Sequence, residues 1–192
     1  MWTDESRFAL DFHDGRVRVH RMSGQRFAPC CLLEHDRYGG GSVMVWAGIW
    51  YGGRRTDAVV IKGTLNAERY KNDIVEPIVV PTVQQHGLIF QDDNATPHRG
   101  GSVRAALRDS GIRTLPWPAR SPDLSPIEHA WDELGRRVRC HYPHAPSTLE
   151  ELSHRLCEQW ALIEDSFIDK LCDSMPHRIQ RCLEANGGHT RY

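Results

Sequence analysis

The run Val43–Trp50 (VMVWAGIW) constrains the fold of this chain more than any other segment. It is almost continuously apolar, with Gly39-Gly40-Gly41 before it and Gly52-Gly53 after it. A strand exposed on one face alternates apolar and polar side chains; one that does not alternate has both faces covered. The run therefore predicts a central strand with layers packed on both sides.

The flanking segments supply partners for it. Phe8, Leu10 and Phe12 alternate with polar or small residues, Asp14-Gly15 is a strong turn signal, and Val17 and Val19 alternate again, so residues 5–20 read as a hairpin. Ala58–Ile61, Leu88–Gln91 and Ile112–Leu115 are short candidate strands. Asn66 is a candidate N-cap for a helix through Tyr70, Ile74 and Ile78, which Pro77 and Pro81 should kink or end. A helix from Ser102 through Val103 and Leu107 should close at Gly111.

Beyond the prolines at 116, 118 and 122 the pattern is helical. Ile127, Trp131, Leu134 and Val138 share one face, and Ser147 with Glu150 forms a capping box ahead of Leu152, Leu156 and Trp160. Phe167, Leu171, Met175, Ile179 and Leu183 recur every four residues, with a kink expected at Pro176. Strands first, alternation in the middle and helices last predict an α/β domain, a mixed central sheet flanked by helices with a helical C-terminal part.

At 192 residues the chain fits one domain, 1–192, and a 40% hydrophobic, 26% charged composition is that of a soluble globular protein. No apolar run approaches the roughly 20 residues of a membrane helix, so no membrane partner is expected. The net charge of −1 does not advertise a nucleic-acid binder. All basic residues except Lys62, Lys71 and Lys170 are arginine, which suits bidentate phosphate contacts but follows equally from a GC-rich gene. The six cysteines include no C-x-x-C pair, and Cys140-His141-x-x-His144 lacks the second cysteine a zinc site would need.

Three acids sit where a chain can hold a metal ligand: Asp4, which opens the strand-like run Arg7–Phe12; Asp93, just past Leu88–Phe90; and Glu128, 34 residues further on at the start of a helix. Hard cations such as Mg²⁺ take one to three carboxylates plus substrate phosphates. Each acid also has an ordinary reading. Asp93 can be turn chemistry, and its neighbour Asp92 competes for the same role from the opposite face of the strand. Ser125-Pro126-Ile127-Glu128 is a capping box with proline at the first helical position, and locally that reading of Glu128 is the stronger. Asp4 alone reads as a solvated surface acid near a terminus.

The wording around these residues joins them. Trp2–Phe8 (WTDESRF), Gly39–Trp46 (GGGSVMVW), Phe90–His98 (FQDDNATPH), Trp117–His129 (WPARSPDLSPIEH) and Ala185–Tyr192 (ANGGHTRY) resemble, in order, the blocks of the Tc-one/mariner family of DDE transposases. The resemblance covers nearly the whole chain, and the 34-residue interval matches the branch whose third catalytic residue is glutamate. It implies an RNase H-like fold, with Asp4, Asp93 and Glu128 as catalytic metal ligands and Asp93 rather than Asp92 in the catalytic place. The implied cofactor is Mg²⁺ or Mn²⁺, two ions about 3.5–4 Å apart in two-metal phosphoryl transfer. The implied partners are DNA (transposon ends and a TA target) and a second copy in a homodimer, and the substrate implies the nucleus.

Nearby positions carry weaker expectations. Asn94, His98, Trp117, Arg120, Arg136, Arg137 and Arg139 are candidates for contact with DNA. Turn stabilisation (Asn94), a structural imidazole (His98), core packing (Trp117) and a solvated helix face (the α-helical arginines) are the alternatives. The chain departs from the family pattern at Asp92, where glutamine is more usual, and no helix-turn-helix module precedes Asp4, so sequence-specific end recognition is expected to be absent. Two readings stay open: a catalytic domain that cleaves and joins DNA, and a catalytically inactive transposon-derived remnant that folds and binds DNA or a partner. A generic RNase H-like nuclease is a third.

Overall fold

A computed structural model of the chain describes residues 1–10, 41–118, 121–188 and 190. The second arm of the expected 5–20 hairpin and Arg120 lie outside these residues.

The apolar run forms the central strand β2 (Ser42–Trp50), paired antiparallel along its length with β1 (Trp2–Ala9), from Trp2 opposite Ile49 to Ala9 opposite Ser42. Its other edge takes β3 (Arg54–Arg55) and β4 (Val59–Ile61), also antiparallel. Beyond β1 the sheet continues through single parallel bridges, Trp2 to Gln91 and Phe90 to Thr114, in place of the two longer strands expected there. Four backbone hydrogen bonds hold them: Gln91 N–H to Met1 O, Thr3 N–H to Gln91 O, Phe90 N–H to Arg113 O and Leu115 N–H to Phe90 O, all 2.7–3.2 Å. The sheet is therefore mixed, as expected.

Both faces of β2 are covered. Val43, Val45, Ala47 and Ile49 pack with Phe8 of β1 against α4 (Ile127–Cys140), α5 (Leu149–Ala161) and α6 (Asp165–Asp173). Trp46 and Trp50 point the other way, onto a core that includes Tyr70, Ile74, Val79 and Phe90. Period-two alternation of a fully buried strand thus feeds two separate cores.

The second core rests on one continuous helical stretch: α1 (Ala67–Tyr70), a π-helical segment Lys71–Val79 and α2 (Val80–His86). Asn66 caps it as expected, its Oδ1 accepting from Arg69 N–H at 2.9 Å. Pro77 does not end the helix. It lies inside the wider π turns, and Pro81 falls at the start of α2, so the prolines change the helical register where a break was expected. Gly87, left-handed at φ 62°, closes α2. The helix α3 (Gly101–Asp109) ends at Ser110 with Gly111 left-handed, matching the expected stop.

The helix α5 is capped one residue later than expected. Thr148 Oγ1 accepts from Glu151 N–H, and the Glu151 carboxylate reaches back to Ser147 N–H at 2.8 Å. The glycine turn after β2 anchors α6, with Gly52 and Gly53 N–H both donating to Asp169 Oδ1 at 2.8 and 2.7 Å. The expected long final helix divides at Ser174 into α6 and α7 (Met175–Glu184), and Pro176 starts the second helix where a kink was expected. Ile179 and Leu183 are exposed, and Arg178 is the buried residue of α7. Its Nη1 donates to Asp123 O at 2.8 Å, pinning α7 to the 3₁₀ turn Pro122–Leu124 that leads into α4.

Candidate active site

Asp4 occupies the middle of β1, opposite Ala47, with Thr3 beside it bonded to Gln91 on the other edge. The expectation of a solvated, mobile acid is overturned by this ladder on both sides. Strand alternation turns Asp4 toward α4, where its Oδ2 accepts from Trp131 Nε1–H at 3.0 Å. Glu5 turns to the opposite face.

Glu128 lies in the first turn of α4, one turn before Trp131. The capping box expected of it does not form: Pro126 is the N-cap, and no side chain caps the helix. The proline ahead of Ile127 sets the entry to the helix, leaving the Glu128 carboxylate free to face away from its own backbone.

Asp93 follows the Gln91 bridge in a tight turn. Asp93 Oδ1 accepts from Ala95 N–H and Asp92 Oδ1 from Asn94 N–H, at 2.8 and 2.9 Å, and Asn94 takes a left-handed φ of 61° that asparagine tolerates. Asn94 Nδ2 also donates to Trp117 O at 2.8 Å, tying the turn to the proline-rich loop.

These elements bring the three acids to one cavity. Asp4, Asp93 and Glu128 all line a space of about 340 Å³, together with Asn94, Arg99 and Trp117. Asp92 does not: it lines the neighbouring cavity, so the alternation between the two aspartates separates their environments.

Three carboxylates and one guanidinium, that of Arg99, line the cavity. Burial, then the nearby Glu128 and Glu5 carboxylates, push Asp4 up to about 7 despite the bond from Trp131. Glu128 is also raised, by burial and then by Asp132 and Asp93. Asp93 goes the other way, lowered chiefly by the His98 imidazole.

His98 is buried, with Nδ1 2.8 Å from Asp93 Oδ1 at an oblique angle and Nε2 3.1 Å from Glu5 Oε1. Its ring lies over Tyr70 at 4.3 Å between centroids. Burial alone would lower its pKa, but the carboxylates of Asp93 and Glu5 outweigh that and raise it to about 10. Of the two readings of His98, DNA contact and structural imidazole, its geometry fits the second: the buried ring links Glu5 to Asp93, with one nitrogen beside each carboxylate. Glu5 and Trp131 were missed as site residues. Their signals were present: Glu5 alternates with Asp4, and Trp131 is three residues after Glu128.

The remaining expected DNA contacts fare differently. Trp117 is half-buried at the cavity wall and belongs to neither core, against the packing alternative. Arg136 and Arg137 do not line the cavity; both pair with Glu133, at 2.7–2.8 Å, and Arg137 also donates to Leu162 O. Arg139 does not line it either. Among the described residues, the only cluster of metal-ligating side chains within mutual reach is Asp92, Asp93 and His98, and Cys140, His141 and His144 form none.

Residues 1–152 match the family described as DDE superfamily endonuclease. The chain belongs to this family. Among curated proteins, the chain is 37% identical over 195 residues to the transposable element Tc1 transposase of Caenorhabditis elegans, covering all of this chain and 70% of the relative. Among solved structures, it superposes on the Mos1 transposase catalytic domain with raltegravir and Mg at a TM-score of 0.64 and 25% identity, covering 78% of each chain. The Mos1 paired-end complex with left transposon end gives 0.73 at 22% identity over 97% of this chain and 55% of that one, a likeness of fold alone. The fold is RNase H-like, and the chain is a DDE transposase catalytic domain homologous to those of Tc1 and Mos1. The Mos1 transposase catalytic domain has been solved with Mg and with Mn.

Proposed function

We propose that this domain cleaves DNA and joins DNA strands by phosphoryl transfer, with Asp4, Asp93 and Glu128 as the ligands of Mg²⁺ or Mn²⁺. The observation that carries the reading is the convergence of three carboxylates, from β1, a post-bridge turn and α4, on one cavity. The donor set fits the group: all-oxygen carboxylates suit hard divalent ions, and the raised Asp4 and Glu128 carboxyls mark charge that an ion would relieve. Bound there, a divalent metal supplies Lewis-acid activation of the attacking oxygen and neutralises charge at the leaving oxygen.

The chain's own residues do the positioning. Trp131 holds Asp4 at the cavity wall by donating to Oδ2, and this bond leaves Oδ1 unengaged. The Glu5–His98 pair fixes Asp93 in the same way, as outer partners commonly orient metal-bound carboxylates. Arg99 and Trp117 at the wall offer a guanidinium to a phosphate and a ring face to a base. The DNA substrate is proposed by likeness to Mos1, whose complex contains a transposon end, and such a substrate implies action in the nucleus.

A nicking assay on supercoiled DNA with Mn²⁺ tests the reading. Metal-dependent nicking is expected, with Asp93→Ala reduced to background. No nicking, or equal nicking by the variant, leaves the inactive remnant as the better account. Preferential cleavage of an RNA–DNA hybrid would favour the generic nuclease.

A further inference from the structure

A second cavity, of about 450 Å³, adjoins the acidic one along α3, and Asn94, Arg99 and Trp117 line both. The Asn94–Trp117 hydrogen bond forms the wall they share. Arg104 and Arg108 line the far side. They sit one helical turn apart on α3, a spacing of about 5–6 Å between Cβ atoms that keeps both guanidiniums on one face. Among the described residues, no ion pair or side-chain hydrogen bond engages Arg99, Arg104 or Arg108. The arginines of α4 contrast with them, since Arg136 and Arg137 are committed to Glu133. The single carboxylate lining this groove, Asp92, accepts from the Asn94 backbone N–H through Oδ1.

We propose that this groove binds an unpaired stretch of the DNA strand that carries the scissile phosphate. Arg99, Arg104 and Arg108 contact successive phosphates, and Trp117 provides the surface on which a base stacks. The proposal rests on the reading of the acidic cavity as the strand-cleavage site, because the shared wall makes the groove its continuation. Its size argues for single-stranded DNA: the volume falls within the roughly 300–1,000 Å³ of small-molecule sites, room for a nucleotide and not for a duplex. Three uncommitted guanidiniums beside an aromatic face are the combination that single strands use, phosphate neutralisation along a groove with sequence-tolerant stacking. In a chain with a net charge of −1, the groove is a local concentration of three free guanidiniums.

The test measures binding apart from cleavage, in EDTA, by fluorescence anisotropy of a labelled duplex with and without a short unpaired oligothymidine tail. The unmutated chain should bind the tailed duplex more tightly. The Arg104→Ala/Arg108→Ala variant should lose that preference, about tenfold or more in affinity. Its slope of log affinity against log salt should fall by about 0.7 per arginine removed. Both side chains are exposed on α3, and an unchanged unfolding midpoint will show that the variant folds. A tail that adds nothing to binding by the unmutated chain overturns the proposal. So does an equal loss on blunt and tailed duplexes, which would identify a duplex-backbone patch. Absence of nicking would count against the cleavage reading only, because this measurement does not depend on cleavage.

Discussion

Asp4 shows how one carboxyl can be both a structural cost and a functional asset. Its place in β1 is enforced by pairing on both sides, so it cannot move away from Glu128 and Asp93. A folded-state pKa of about 7, above the ordinary 3.8, means that the folded, metal-free chain keeps a proton the unfolded chain has lost. The Asp4 contribution is therefore most favourable below about pH 4 and is lost as pH rises to about 7, where both states are ionised. His98 acts in the next window: raised from 6.5 to about 10, it supports the fold below pH 6.5 and loses that support as pH climbs through 10. In calorimetry without metal, Asp4→Asn should flatten the decline between pH 4 and 7, a difference on the order of a few kcal/mol. Mg²⁺ should raise the midpoint of the unmutated chain at pH 7.5 and have much less effect on the variant. An unchanged pH slope in Asp4→Asn would show that burial and crowding of carboxylates are not what limits metal-free stability.

At the scale of elements, the two capping signatures in the sequence come to opposite ends. The Ser125–Glu128 box is well formed in sequence, yet α4 begins at Ile127 behind Pro126 as N-cap, without a side-chain cap, and Glu128 lines the cavity. The α5 signature does form, shifted to Thr148 and Glu151. The two helices should respond differently to substitution. Thr148→Ala should lower stability by about 1 kcal/mol with cleavage retained, the usual loss of an N-cap. Glu128→Gln should remove cleavage while leaving stability unchanged or raised, since no cap is lost and carboxylate repulsion in the cavity is reduced. Denaturant unfolding alongside the nicking assay separates these outcomes. A marked destabilisation by Glu128→Gln would restore the capping role.

For the molecule as a whole, β2 is the shared wall of two cores, and the site lies where elements from both sides meet. Asp4 and Glu128 face the α4 side, while Glu5 and His98 buttress Asp93 from the Tyr70 side. Damage to either core should therefore reach the site. Trp46 is wholly buried, and Trp46→Ala should cost about 3–5 kcal/mol, a large part of the 5–15 kcal/mol that holds a typical domain. Leu183, 66% exposed on α7, should tolerate Leu183→Ser within about 0.5 kcal/mol despite its place in an apolar repeat. Thermal unfolding of the pair would test this; a large loss at Leu183 would mean that the outer face of α7 is covered.

Much of this was legible in the sequence, because it depends on local periodicity. The unbroken apolar run dictated a central strand with two covered faces, and the three- and four-residue spacing after Pro126 dictated the buried face of α4. The ordered motifs carried the family and the fold, and they pointed to Asp93 in preference to Asp92. What local pattern could not supply was direction and partnership. Whether Glu128 would cap its helix or face a cavity, whether Asp4 would be loose or fixed, and which arginines would be free all depend on residues far away in sequence. Pro77 inside π turns and the exposed Ile179 and Leu183 have the same origin, since tertiary packing overrides local propensity where neighbours differ from what the periodicity assumes. The sequence by itself determined the layers and singled out the three acids as candidates. Only the tertiary structure decided that they share one cavity, with Trp131 holding Asp4 and His98 holding Asp93, because long-range contacts set the orientation of a side chain.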